Sequence, residues 1–200
     1  MQQNKAGRSR RWLREALSLI LLTAAILAAR STLADHYVVP SGSMEHTLYP
    51  GDRVVVDKRA YGWRLPFTRF EVLDGDTVSA GDVVIFDSPT DGTRLIKRVV
   101  ATGGDRVAVG DGRLTVNGRS LSVEREYEQI GEALVRLRLD SGGGPDFAAE
   151  LPPGTLLVVG DHRGNSRDGR FFGLIPESDV YARALAVYFR RGEGFVWTRL

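Results

Sequence analysis

A chain of 200 residues, 42% of them hydrophobic, can bury the core of one ordinary domain with at most a small inserted lobe. Lys and Arg number 27 against 25 Asp and Glu, but five of the basic residues precede Glu15, so 22 face 25 in the remainder. The basic isoelectric point belongs to the tail, and the charge pattern a nucleic-acid partner requires is missing. The chain has no cysteine, which excludes disulfides, a thiol nucleophile and Cys-based zinc or iron–sulfur sites and leaves the compartment open.

Lys5, Arg8, Arg10, Arg11 and Arg14 make residues 1–14 a basic tail, and Ala16 to Ala29 follow without charge or proline. With its flanks this run reaches the ~20 residues that cross a bilayer, so a transmembrane anchor is predicted over residues 15–34. Arg14, Glu15 and Arg30 sit near its ends, where long side chains reach the headgroups. The basic tail stays cytoplasmic by the positive-inside rule, which puts residues 35–200 outside. A cleavable secretory signal ending at Ala34 is the alternative, and it delivers residues 35–200 to the same side.

Beyond Asp35 the apolar residues run in short β-branched groups punctuated by Gly, Asp and Pro: Val54 to Val56, Val83 to Phe86, Leu95 to Ala101, Leu156 to Val159 and Ala184 to Phe189. These read as strands. Leu114 to Val116, Asn117-Gly118 and Arg119 to Leu121 spell a hairpin, because Asn-Gly supplies the two positive φ angles of a type I′ turn. Val135, Leu137 and Leu139 alternate with Arg136 and Arg138, the period of a half-exposed strand, and Ser141 to Pro145 is a Gly-rich connection. The expected class is mostly β, a curled antiparallel sheet or partly closed barrel, with residues 107–152 as an inserted lobe.

Three segments carry chemistry. In Val39-Pro40-Ser41-Gly42-Ser43-Met44, two serines around a glycine form a turn in which one hydroxyl can face a substrate while the other, with a backbone N–H, faces a developing oxyanion. Ser-Gly-Ser is also a common loop, so the serine needs an activator. In Leu95 to Ala101, strand alternation sets Lys97 on one face with Leu95, Val99 and Ala101. A lysine with a reference pKa of ~10.4 is useless as a base at neutral pH, and desolvation lowers it by several units. A snorkelling edge-strand lysine is the plainer reading. The third segment, Val158 to Arg170, is dense in Asp, Arg, Asn and Ser and reads as a hydrogen-bonded corner. A calcium loop fails there because Arg163 stands where an oxygen ligand is needed. His36, His46 and His162 show no ligand spacing and read as surface or loop residues, so no metal site is expected.

Taken in order, the basic tail, the apolar run, Pro-Ser-Gly-Ser-Met, Gly-Asp-Val-Val-Ile-Phe, Ile-Lys-Arg-Val-Val with a following Gly-Asp, and Gly-Asp-x-Arg-x-Asn-Ser-x-Asp resemble bacterial type I signal peptidases, or leader peptidases, across most of residues 12–190. The resemblance implies a single-pass protein of the cell's inner (cytoplasmic) membrane whose extracytoplasmic domain removes N-terminal signal peptides from translocated preproteins. It implies Ser43 as nucleophile, Lys97 as general base, Ser41 as a hydroxyl donor to the oxyanion, and Ser166 as the residue that orients Lys97. Tyr37, Val39, Pro40 and Ile96 match positions lining shallow apolar subsites, and Arg98, Asp161, Asp168 and Arg170 match structural positions. No cofactor is implied; the partners are preprotein signal peptides and the lipid bilayer.

The sequence departs from the family pattern at His46 in place of Pro, His162 in place of Asn, Gly164 in place of Asp and Gly169 in place of Ser. These leave both serines and the lysine in place and bear on the support network and specificity. Two other readings are a specialised Ser-Lys processing peptidase with one dedicated substrate and a catalytically silent anchored β-domain that binds envelope proteins.

Overall fold

The computed structural model describes residues 12, 15–23, 34–61, 63–64, 71–73 and 75–200. Residues 15–23 are helical and exposed. Among the described residues no helix is long and apolar enough to cross a membrane; the predicted anchor includes residues 24–33, which lie outside the described residues.

The body is antiparallel β. Its main sheet runs in the order β1 (Ala34–Val38), β2 (Arg53–Asp57), β16 (Val180–Arg190), β5 (Val83–Asp87), β6 (Arg94–Thr102), β14 (Thr155–Val159) and β15 (Ile175–Pro176), with β17 (Gly194–Arg199) also paired to β16. The β-branched groups read from the sequence form β2, β5, β6, β14 and most of β16, as expected for side chains that fit a pleated, buried surface. Three strands separate β1 from β6, yet Arg94 Nη1 donates to Tyr37 Oη at 3.1 Å, so the sheet curls back on itself. It stays open, because β1 and β15 end the order without pairing to each other. Partial closure into a barrel is therefore corrected to a curled open sheet.

Between β6 and β14 the chain builds two further sheets. One has the order β13 (Phe147–Glu150), β7 (Arg106–Gly110), β8 (Arg113–Val116), β9 (Arg119–Ser120); the other has β10 (Ser122–Glu124), β11 (Tyr127–Ile130), β12 (Ala133–Arg136). Asn117 and Gly118 join β8 to β9 with φ of 52° and 78°, the left-handed pair of a tight hairpin. A short ribbon pairs β3 (Trp63–Arg64) with β4 (Glu71–Leu73), and a single-turn helix α1 (Gly169–Phe172) follows β14.

Three apolar clusters hold these parts together. Val54, Val56, Ile85, Ala182 and Val187 pack with Met44 and Leu48 from the segment after Ser43. Met44 and Leu48 are fully buried, and at about 1.5–3 kcal/mol for each such side chain they pin the serine loop to the sheet. Val84, Phe86, Val99, Leu156 and Val158 form a second cluster, and Val100, Ala101, Leu157 and Val159 meet Leu114, Ile130, Val135 and Leu137 in a third. The third cluster is shared by the main sheet and the two further sheets, which therefore pack as one unit.

Candidate active site

The register of β5 and β6 sets Lys97 opposite Val84, and the side chain runs to the loop that follows β1. There Nζ donates to Ser43 Oγ at 2.7 Å and to the Ile96 carbonyl at 3.1 Å. Lys97 is 3% exposed and Ser43 7%. Burial disfavours the ammonium and lowers the Lys97 pKa to about 8, against a smaller upward pull from the Asp168 and Asp161 carboxylates. A lysine held this way passes through its neutral form near physiological pH and can accept the proton of the hydroxyl it touches. Lys97 shares its face with Leu95 and Val99, but a bulge between Leu157 and Val158 on β14 leaves Val100 as an extra residue of β6, and Ala101 turns into the third cluster. The expectation that Ala101 lines the lysine's face is corrected by that bulge.

Ser41 is exposed, and its hydroxyl lies 3.5 Å from Ser43 Oγ. Tyr37 and Ile96 are half-buried at the edge of the Met44 cluster, Pro40 is exposed, and Val39 is 3% exposed within that cluster. Ser166 is buried, but its hydroxyl has no hydrogen-bond partner and lies against Gly160. The expected hydrogen bond from Ser166 to Lys97 is not formed in this structure. Gly160 explains the crowding: a Cβ there would sit 2.5 Å from the Ser43 carbonyl oxygen and closer still to Ser166 Oγ.

Behind the dyad stand three buried ion pairs. Arg98 Nε and Nη2 donate to Asp161 Oδ1 and Oδ2 at 3.0 and 2.8 Å, and Thr47 Oγ1 also donates to Asp161. Arg170 Nε and Nη2 donate to Asp168 at 2.8 Å each, while Asp168 Oδ2 accepts the Gly160 N–H at 2.9 Å. Arg163 Nη2 donates to Glu128 Oε2 at 2.8 Å, with both side chains at most 1% exposed. Arg98 with Asp161 and Arg170 with Asp168 form bidentate pairs. Glu128 was not singled out by sequence reasoning, and Arg163 only as the residue that defeats a calcium loop. The usable signal was parity: Glu128 falls on the same strand face as the buried Ile130.

His162 lies in the loop after β14, but at 4% exposed it is not a surface residue. Its N–H donates to the Ser43 carbonyl at 3.1 Å, Nδ1 is 3.2 Å from the Gly42 carbonyl oxygen, and Asp140 Oδ1 lies 3.0 Å from Nε2, out of hydrogen-bond alignment. His46 sits in the serine loop, where burial first and then Arg136 and Arg138 lower its pKa; the peptide bond before it is cis.

A family model described as signal peptidase, peptidase S26, matches residues 9–189. Signal peptidase I of Pseudomonas fluorescens is 32% identical over 191 residues, covering 82% of this chain and 67% of that protein. Signal peptidase I of Pseudomonas aeruginosa is also 32% identical, over 195 residues with the same coverage. Signal peptidase I U of Bacillus subtilis is 29% identical over 181 residues, covering 88% of this chain and 87% of that one. A solved signal peptidase I from Enterococcus faecalis V583 is 24% identical and spans 60% of this chain and 97% of its own, with a TM-score of 0.40. The sequence matches span nearly the whole chain, and the chain belongs to the signal peptidase, peptidase S26, family.

Proposed function

We propose that this chain is a membrane-bound serine endopeptidase that removes N-terminal signal peptides from translocated preproteins, with Ser43 as nucleophile and Lys97 as general base. The observation that carries the reading is the buried 2.7 Å contact between Lys97 Nζ and Ser43 Oγ, with the lysine pKa lowered to about 8. Neutral Lys97 takes the Ser43 proton as Oγ attacks the scissile carbonyl, and the ammonium then returns that proton to the leaving amine. Water hydrolyses the acyl-enzyme by the same proton path. The Ser43 N–H and the Ser41 hydroxyl hold the oxyanion.

The substrate enters as an extended segment. Among the described residues β14 pairs with β6 only from Arg98 to Thr102, so residues 94–97 beside the dyad have no strand on that side, and β1 ends the strand order. An added strand satisfies such edges, with its small side chains against Tyr37, Ile96 and the backbone at Val39 and Pro40. In the full topology residues 1–14 are cytoplasmic, 15–34 anchor the chain and 35–200 are extracytoplasmic, supported by the five basic residues ahead of the apolar run.

The test is cleavage of a peptide with Ala-x-Ala before the cut. The kcat/KM should rise with pH through an apparent pKa near 8 and fall to background in Ser43→Ala and Lys97→Ala. Ser41→Ala should lose ~10²–10³ in kcat. Activity that survives either loss in the dyad rejects the assignment.

A further inference from the structure

We propose that His162 is a positioning residue for the oxyanion hole, an inference that rests on the Ser43 assignment above: its ring Nδ1–H donates to the Gly42 carbonyl and so fixes the direction of the Ser43 N–H.

The Gly42 carbonyl and the Ser43 N–H belong to one planar unit and point in opposite directions. Anything that holds Gly42 O therefore aims the Ser43 N–H. The His162 ring lies 3.2 Å from Gly42 O, which also accepts the Glu45 main-chain N–H at 3.2 Å, and the His162 main-chain N–H donates to the carbonyl of Ser43 itself at 3.1 Å. The two contacts grip successive carbonyls on either side of the nucleophile. A hydrogen bond on Gly42 O also polarises the amide and strengthens its N–H as a donor, which is the property an oxyanion hole uses.

The ring is buried; Glu45 Oε2 is 3.6 Å from Nδ1, and Asp140 Oδ1 is 3.0 Å from Nε2 but out of hydrogen-bond alignment. Main-chain contacts fix the segment against the chain just beyond β12: Arg138 N–H donates to Asp161 O at 2.9 Å and Arg163 N–H to Arg138 O at 3.0 Å. Glu45 is ion-paired with Arg138, which also holds Asp140. With the ring locked by its surroundings, Nδ1 needs no reorganisation as charge develops on the substrate oxygen.

The test compares His162→Leu with His162→Asn, which keeps an N–H donor on a shorter side chain. An oxyanion role acts on the transition state, so His162→Leu should lower kcat roughly 10–10²-fold and leave KM within about threefold. The affinity for a peptide aldehyde, whose adduct carries an oxyanion, should fall in step with kcat. His162→Asn should recover most of both losses. A further measurement does not depend on activity or on the leucine variant folding: long-range 1H–15N spectra of the Ser43→Ala protein should show the His162 Nδ1 protonated, with the His162→Asn spectrum assigning the signal. An unprotonated Nδ1, an unchanged kcat in His162→Leu, or equal damage in the Asn and Leu variants overturns the proposal. A peptidase whose activity survives Ser43→Ala while Nδ1 is protonated instead rejects the nucleophile and leaves the hydrogen bond standing.

Discussion

Lys97 is held as an ammonium in a place that disfavours one. Its pKa is about 10.5 in an unfolded chain and about 8 in the native state, with desolvation as the leading cause. Below pH 8 both states are protonated and the burial penalty, on the order of 3 kcal/mol, is fully present. Between pH 8 and 10.5 the unfolded chain binds more protons than the native one, so stability rises with pH across that window. Lys97→Met should therefore be more stable than the wild type by about 1–3 kcal/mol at pH 7, and the gap should narrow toward pH 10 in thermal melts; a Met variant melting below the wild type at pH 7 would contradict it. At the same scale, Gly160→Ala should leave the protein folded and cut kcat at least about tenfold, because the new methyl meets the Ser43 carbonyl oxygen and Ser166 Oγ. What the sequence made readable among single residues was chemistry with a partner of known type: a serine after a turn and a lysine on an apolar strand face. His162 was unreadable because its burial comes from Gly42, Glu45 and Asp140, which are distant in sequence and meet it only after folding.

Among the elements, β6 and the segment after β14 carry the site, and buried ion pairs brace both. The Arg98–Asp161 pair is at most 4% exposed, whereas Arg106–Glu150 between β7 and β13 is over two-thirds exposed. Removing one partner of the first leaves a guanidinium without its counter-charge in a low-dielectric place, which costs about 3–5 kcal/mol. Removing one partner of the second costs about 1 kcal/mol or less. Asp161→Ala should thus lower the urea midpoint strongly at unchanged m-value, while Glu150→Ala should barely move it; similar shifts would mean that water reaches Asp161. The elements themselves were largely legible. The Asn117-Gly118 hairpin follows from local turn chemistry, and the alternation of Val135 and Leu137 with Arg136 and Arg138 reports burial correctly, although the regular strand stops at Arg136. The bulge at Val100 was not legible, since its cause is the register of β14 rather than any residue of β6.

At the scale of the molecule, the curl that brings β1 against β6 sets the dyad at the point where the chain first enters the sheet. The described core draws its buried apolar side chains from Val39 to Val187, with none from residues 15–23. Among the described residues, 15–23 therefore add nothing to the packing of the sheet. That segment would act on encounter instead: an anchor holds enzyme and membrane-inserted substrate in one plane and raises their effective concentration without any new contact. A protein lacking residues 1–33 should cleave a soluble Ala-x-Ala peptide with kcat/KM within about twofold of the full chain in detergent. It should process a preprotein inserted in vesicles at least ~10²-fold more slowly, at equal enzyme per lipid. Parallel loss on both substrates would mean that the amino-terminal segment supports the fold of the domain; equal activity on both would mean that the sheet reaches the bilayer surface unaided.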